Sequence, residues 1–436
     1  MLSHQPFDTS VPTVLVRLDR NPFHHGTLGA ARSLGRAGIP VHAVIESSSS
    51  PVTRSRYVSS ARARPGTDSA AELSALLTRV ADEITDDPSH PVLAVPLDDV
   101  SALALARRRS GLVPRFLLPA QTEEQLLRVA DKAELAETCA GLGLPHPRTE
   151  LPGGADEAAA MAWSLGLPVV AKWSRPWLLP GGGGLRSTTI VRSLAEVREL
   201  YARTPEAGSR LLLQEMLPAG RDLDWFFHGY VDAAGRCSTG ATGRKERSWP
   251  DGAGLTASGR WTRNPTVERT ARDLLAALDY RGVCDLDFRL NRATGAYHLL
   301  DFNPRPGAQF RLFTDPDGLD VVRALHLDLT GRPVPAHAPV PGRRFVVENY
   351  AALSLIVSPR RRYAPQREGG RGRTECAWFA ADDPAPALSM GRAWLAHLLR
   401  KALGRLRRAV RVRRPDPAVA PVPPRPRAST DQLTRR

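Results

Sequence analysis

The decapeptide HLLDFNPRPG, His298–Gly307, decides how the chain is read. An apolar run ends in Asp301, Asn303 and Arg305, each two residues from the next. In a β-strand, residues i, i+2 and i+4 point to one face. A carboxylate, an amide oxygen and a guanidinium then project together from a buried strand. Asp and Asn form strands poorly and are costly there without partners. Asp301 and Asn303 as ligands of a divalent cation, with Arg305 neutralising an anion, give them partners. The alternative for Asp301 is a strand-end turn residue.

Just upstream, CDLDF (Cys284–Phe288) offers Asp285 and Asp287. A turn near NRATGA (Asn291–Ala296) makes the two segments neighbouring strands. Asp287, Asp301 and Asn303 are therefore the expected metal ligands. Magnesium is usually held by one or two carboxylates together with substrate phosphates. A phosphate-bearing partner follows.

Lysine usage points the same way. Only four of the 60 basic residues are lysine: Lys132, Lys172, Lys245 and Lys401. In so arginine-rich a chain, a retained lysine suggests a compact ammonium reaching a phosphate. Lys172 sits in a strand-like PVVAKWS, nine residues before the run Gly181, Gly182, Gly183 and Gly184. Glycine lets backbone N–H groups approach an anion closely. A flexible hairpin tip is the commoner cause of such a run, and the spacing is not that of a P-loop.

The N-terminal third alternates strand and helix. TVLVRL (13–18) reads as a buried strand, GTLGAARSLGRAG as a helix with a glycine stop, and IPVHAVIE as a second strand. RYVSS (56–60) and PVLAVPLDD (91–99) read as further strands. A doubly wound, parallel α/β domain over 1–120 is expected. Its loop DRNPFHHG (19–26) lies at a strand's carboxyl end, where such sheets bind ligands, so His24 and His25 are either substrate contacts or part of a solvated loop. Residues 121–335 read as an α+β domain with strands around the glycine run. Residues 336–390 form an extension with no assigned role. Residues 391–436 read as a basic amphipathic helix followed by a Pro/Arg-rich disordered tail.

The net charge of +15 belongs mostly to that tail: thirteen Lys and Arg against two Asp leave +11 in residues 391–436 and +4 elsewhere. The body shows no groove-reading motif, so specific nucleic-acid binding is not expected. The tail has three readings: a contact for an anionic membrane surface, a contact for a protein partner, or a solvated appendage. Four scattered cysteines without CxxC spacing suggest neither zinc nor a disulfide framework. No signal peptide or membrane span is legible, so a cytoplasmic location is expected. Oligomeric state is not legible, a homodimer being the common default.

Taken in order, these motifs resemble the ATP-grasp superfamily, and within it the carboxylate–amine ligase branch, over roughly residues 120–330. ADKAEL resembles the segment whose lysine, here Lys132, reaches nucleotide phosphates. PVVAKWS with Lys172 resembles the second phosphate strand, and PGGGGLRS the phosphate lid. LLLQEMLPAGRDLD is similar to the adenine hinge. The resemblance assigns Gln214, Glu215, Met216 and Leu217 to the base and Asp222, or alternatively Asp224, to the ribose. DLDF and DFNPR resemble the metal-binding strands, with Arg305 steadying the reacting group. GRKERSWPDGAG is similar to the segment over the acceptor, which implies contacts from Lys245 and Arg247 to the γ-phosphate or a substrate carboxylate. Asp301 stands where many members carry glutamate. The resemblance implies two subdomains clamping ATP with Mg²⁺ or Mn²⁺. It also implies small carboxylate and amine substrates joined through an acylphosphate, with release of ADP and phosphate. The rival reading is an ATP-binding regulatory or scaffold protein with a degenerate site.

Overall fold

The computed structural model describes residues 7–67, 69–181, 184–249, 254–357 and 373–412, with side chains as far as Lys401. The expectations for Gly182, Gly183, part of the 243–254 segment and the Pro/Arg-rich tail lie outside, or partly outside, those residues.

The first sheet is parallel, in the order β3-β2-β1-β4-β5. It comprises β1 (Thr13–Val16), β2 (Val41–Ile45), β3 (Ser60–Ala63), β4 (Val92–Pro96) and β5 (Phe116–Leu117). All four residues of β1 and all five of β4 are buried, because helices cover both faces of such a sheet. The helices are α1 (His25–Arg36), α2 (Ala70–Ile84), α3 (Asp99–Arg107) and the single turn α4 (Arg109–Leu112). Val14, Val16, Val92 and Ala94 pack with Leu73, Leu77 and Val80 of α2 in one core.

The expected strand at 56–60 begins instead at Ser60, which pairs with His42. Tyr57 is drawn out of strand geometry: it lies against Gly35 of α1 and donates its hydroxyl to Asp382 at 2.7 Å.

Two helices follow, α5 (Glu123–Ala130) and α6 (Lys132–Gly141). The second sheet is antiparallel, in the order β6-β9-β7-β8. Its strands are β6 (Thr149–Glu150), β7 (Val169–Trp173), β8 (Thr188–Val191) and β9 (Leu211–Glu215). One face is covered by α7 (Ala155–Leu165) and α8 (Leu194–Tyr201), with the turn α9 (Thr204–Ala207) beside them, over a core that includes Val169, Ala171, Trp173 and Leu213.

The third sheet has seven strands in the order β14-β13-β10-β11-β12-β15-β16. Five are β10 (Asp224–Val231), β11 (Cys237–Trp249), β12 (Leu255–Trp261), β13 (Gly282–Leu290) and β14 (Tyr297–Asn303). On β13 the period of two is clean. Cys284, Leu286 and Phe288 enter a core with Val267, Leu274 and Leu275 of α10 (Pro265–Ala277), so Asp285 and Asp287 turn to the opposite face. Helix α11 (Val321–Leu329) follows.

Two strands from the 336–390 segment, unassigned from sequence, complete this sheet. Its strands β15 (Arg344–Val346) and β16 (Thr374–Cys376) flank α12 (Glu348–Val357), and β15 pairs with β12. Beyond β16, Asp383 is tied back to the first sheet's helix by Arg32, whose Nε lies 2.9 Å from Asp383 Oδ2 with both side chains buried. The final helix, α13 (Ala385–Val412), continues into a separate unit that begins at Gly391. In that unit Leu395 and Leu399 are exposed. No described helix is long and apolar enough to cross a membrane.

Candidate active site

The register of β13 on β14 sets the geometry. Asp287 faces Asp301, and Asp285 faces Asn303. Directly opposed residues of an antiparallel pair share a face, so the carboxylates expected to bind metal do project together.

Cations reach this face from three other elements. Lys132, first residue of α6, pairs with Asp301. Its helix is fixed by the buried Asp131, whose side chain takes the Arg175 guanidinium at 2.7 Å, while the Lys132 amide donates to the Ser174 carbonyl at 2.9 Å. Lys172 on β7 donates to the Leu300 carbonyl at 2.9 Å. Lys245 on β11 lies 3.2 Å from Asp287. Three of the four lysines of the chain thus meet at one hairpin. Arg247 lies two residues beyond Lys245, at a bulge opposite Ser258.

Arg305 leaves the end of β14 and is held between two carboxylates. Its Nη1 donates to Asp285 at 3.0 Å, and its Nε lies 3.5 Å from Asp99 of the first sheet's α3. Asp285 also faces the fully buried His228 at 3.1 Å and receives the Asn303 side-chain amide at 3.4 Å. Asp285 is thereby occupied as a brace. Asp287 and Asp301 keep 27% and 31% of their side chains exposed, so both remain open to solvent.

The electrostatics follow from this crowding. Burial raises the Asp285 carboxyl, but His228, Arg305 and Lys245 outweigh it and bring it down to about 2. At Asp287 burial wins, reinforced by the neighbouring Asp285 and Asp301, and the carboxyl is raised despite Lys245. Burial lowers the Lys172 ammonium, partly countered by Asp301. Carboxylates crowded this way are stabilised by additional positive charge.

The donor set is oxygen only, two carboxylates and the Asn303 amide. Among the described residues no group of three or more His, Cys, Asp or Glu could hold a metal by itself. A hard cation that completes its shell with phosphate oxygens fits this set, and a closed protein cage does not.

The hinge residues lie where β9 ends. Gln214 is buried and donates to Thr149 at 2.9 Å. Glu215 spends one carboxylate oxygen on the Arg148 amide at 3.0 Å, so that oxygen is already engaged. Met216 follows, and the Leu217 carbonyl accepts from Arg289 at 3.2 Å. Of the two ribose candidates, Asp224 is locked to Arg289 at 2.6 Å. Asp222 has a positive φ of 65°, contacts Arg244 at 3.1 Å and is the more open of the two. His24 is used otherwise, capping α1 through the Thr27 amide at 3.2 Å. His25 is buried against Phe345, and burial pushes its imidazole down to about 3.

No family model matches the sequence. The N-terminal section of a carbamoyl phosphate synthase large chain from Methanopyrus kandleri is 24% identical over 214 residues, 46% of this chain and 36% of that protein. The chain therefore spans about a third of that relative. Among solved structures, biotin carboxylase from Campylobacter jejuni superposes with a TM-score of 0.55 at 14% identity, covering 74% of this chain and 72% of that one. N5-carboxyaminoimidazole synthetase from Staphylococcus aureus, solved with ADP, gives 0.56 at 11%, covering 76% and 80%. The biotin carboxylase domain of Hydrogenobacter thermophilus 2-oxoglutarate carboxylase, solved with MgADP, ADP and bicarbonate, gives 0.55 at 18%, covering 78% and 73%.

The chain has the ATP-grasp fold.

In the ATP-grasp cleft, sequence spacing missed Asp285 as a brace, along with His228 and Asp99. Each lies on a different strand or helix from Arg305, so no local pattern links them. The one usable signal was Gly307. A β-carbon there would sit 2.2 Å from His228 Cε1 and 2.6 Å from Asp285 Cγ, so the turn after Arg305 can lie on the brace only with glycine. Gly307→Ala is expected to cost roughly 1–3 kcal/mol of stability through overpacking. A urea midpoint unchanged from wild type would show that the turn is loose.

Proposed function

We propose that this chain is an ATP- and Mg²⁺-dependent ligase that joins a small-molecule carboxylate to an amine through an acylphosphate, releasing ADP and phosphate. The observation that carries this reading is the convergence of Lys132, Lys172, Lys245 and Arg305 on the Asp287–Asp301 hairpin. That many cations around exposed carboxylates suit a bound polyphosphate and its metal.

Asp287, Asp301 and the Asn303 amide oxygen would hold the cation. A cation held there would supply positive charge to offset that developing in phosphoryl transfer. Lys132 and Lys245 are paired with these same carboxylates. Both ammonium groups are thereby held at the hairpin, where they would be within reach of phosphate oxygens. Lys172 orients the phosphates from the second sheet. Gln214, Glu215, Met216 and Leu217 border the base, and Asp222 is placed for the ribose hydroxyls.

Arg305, steadied by Asp285 and Asp99, neutralises the substrate carboxylate so that it can approach an anionic γ-phosphate. Attack through the carboxylate oxygen breaks the γ-phosphate's bond to ADP. The amine then attacks the acyl carbon, and phosphate leaves with the bonding pair. Lys245 and Arg247 border the acceptor side.

The test is a screen of acid and amine pairs, with Mg²⁺ present, for pair-dependent release of ADP and phosphate. Lys172→Ala is the control and is expected to reduce that release by about 10²-fold or more. ATP turnover indifferent to every acid and amine would instead favour the regulatory reading.

A further inference from the structure

Helix α13 runs to Val412, and its part beyond Gly391 belongs to a unit of its own. There Leu395 and Leu399 keep 57% and 56% of their surface exposed. They stand one helical turn apart and so share a side, with Trp394 and Leu398 a turn apart beside them. At about 3.6 residues per turn, His397, Arg400 and Lys401 come round to the other side. Arg400 and Lys401 are exposed, and among the described residues neither pairs with a carboxylate.

The sequence carries the pattern on. Leu403, Leu406 and Val410 continue the apolar spacing, and every charged residue from Gly391 to Val412 is basic, seven in all. Leucines held in water are costly, so an exposed apolar stripe points to something that covers it. A nucleic acid would use the cations and leave the leucines bare. An apolar groove on a protein would take the leucines and leave the cations on the far side of the helix. A lipid surface uses both. The apolar side sinks to the acyl boundary, while lysine and arginine stems reach the anionic headgroups that surround the helix. The helix is not apolar enough to cross the bilayer, so it would lie along the interface.

We propose that α13 beyond Gly391 is an interfacial helix that docks this protein on an anionic lipid surface, with Leu395 and Leu399 toward the acyl chains and Arg400 and Lys401 at the headgroups. Of the three readings of the tail, this is the one that charge and exposure favour together. It stands apart from the nucleotide reading and concerns a different part of the chain.

The test is sedimentation of the full chain with vesicles of phosphatidylcholine and phosphatidylserine, beside vesicles of phosphatidylcholine alone. Binding is expected on the first, about tenfold or more weaker on the second, and reduced by added salt. Leu395→Glu combined with Leu399→Glu should lower binding to the anionic vesicles about tenfold or more, and Arg400→Glu combined with Lys401→Glu should do the same. Leu395→Met combined with Leu399→Met keeps the apolar surface and should bind as wild type does. All four side chains are exposed, so unfolding midpoints of these variants should match wild type, which separates lost binding from lost fold. Failure to sediment with anionic vesicles, equal binding to both kinds of vesicle, or undiminished binding by the leucine-to-glutamate pair overturns the proposal. Duplex DNA bound more tightly than the anionic vesicles would assign the helix to nucleic acid and overturn it as well.

Discussion

Asp301→Asn should lower pair-dependent ADP release by roughly 10²–10³-fold, the scale reached when one preorganised charge-stabilising group is lost from an active site. Asparagine keeps the shape and one oxygen but removes the charge that the proposed cation site requires. Two further consequences separate this from general damage. The variant should need much higher Mg²⁺ to bind nucleotide, because the proposed site would have one carboxylate fewer. In nucleotide-free protein, the nearly buried Lys132 also loses its counter-ion, at a cost of about 1–3 kcal/mol of stability. Turnover and Mg²⁺ dependence equal to wild type would remove Asp301 from the metal site, and the reading of the β13–β14 hairpin with it.

Asp383→Ala is expected to be the most destabilising single change. Arg32 and Asp383 are almost wholly buried, and Arg32 Nη2 also donates to the Trp378 and Asp383 carbonyls at 2.8 and 2.7 Å. Asp383 in turn accepts the Ser55 hydroxyl at 2.7 Å and the Arg56 amide at 3.0 Å. Removing the carboxylate leaves a buried guanidinium without its charge partner, which costs about 3–5 kcal/mol. Folded domains hold only about 5–15 kcal/mol in total, so this is a large fraction. Urea unfolding should show it as a lower midpoint at similar slope. Asp383→Asn, which keeps an acceptor, should cost less. A loss below about 1 kcal/mol would mean the segment beyond β16 is not what fastens the first sheet to the third.

The strongest local signals were those carried by strand periodicity and residue scarcity. That Asp287 and Asp301 lie opposite each other was legible because a period of two fixes a face and a short turn makes the strands neighbours, and the two strands do pair. Lys132, Lys172 and Lys245 were legible because the chain otherwise writes its cations as arginine. RYVSS misled because apolar content alone cannot tell a strand from a loop whose tyrosine packs sideways against a distant helix.

The sequence by itself determined the chemistry available to this protein: which faces carry carboxylates, which positions carry compact cations, and which strands run parallel or antiparallel. Only the tertiary structure decided which groups are free to use that chemistry. It turned Asp285 into a brace through His228 and Arg305, brought Asp99 across from the first sheet, and made β15 and β16 the edge of the third. Periodicity acts over a few residues and survives in any context. Pairing between charges far apart in sequence depends on how three sheets pack, and no local pattern encodes that.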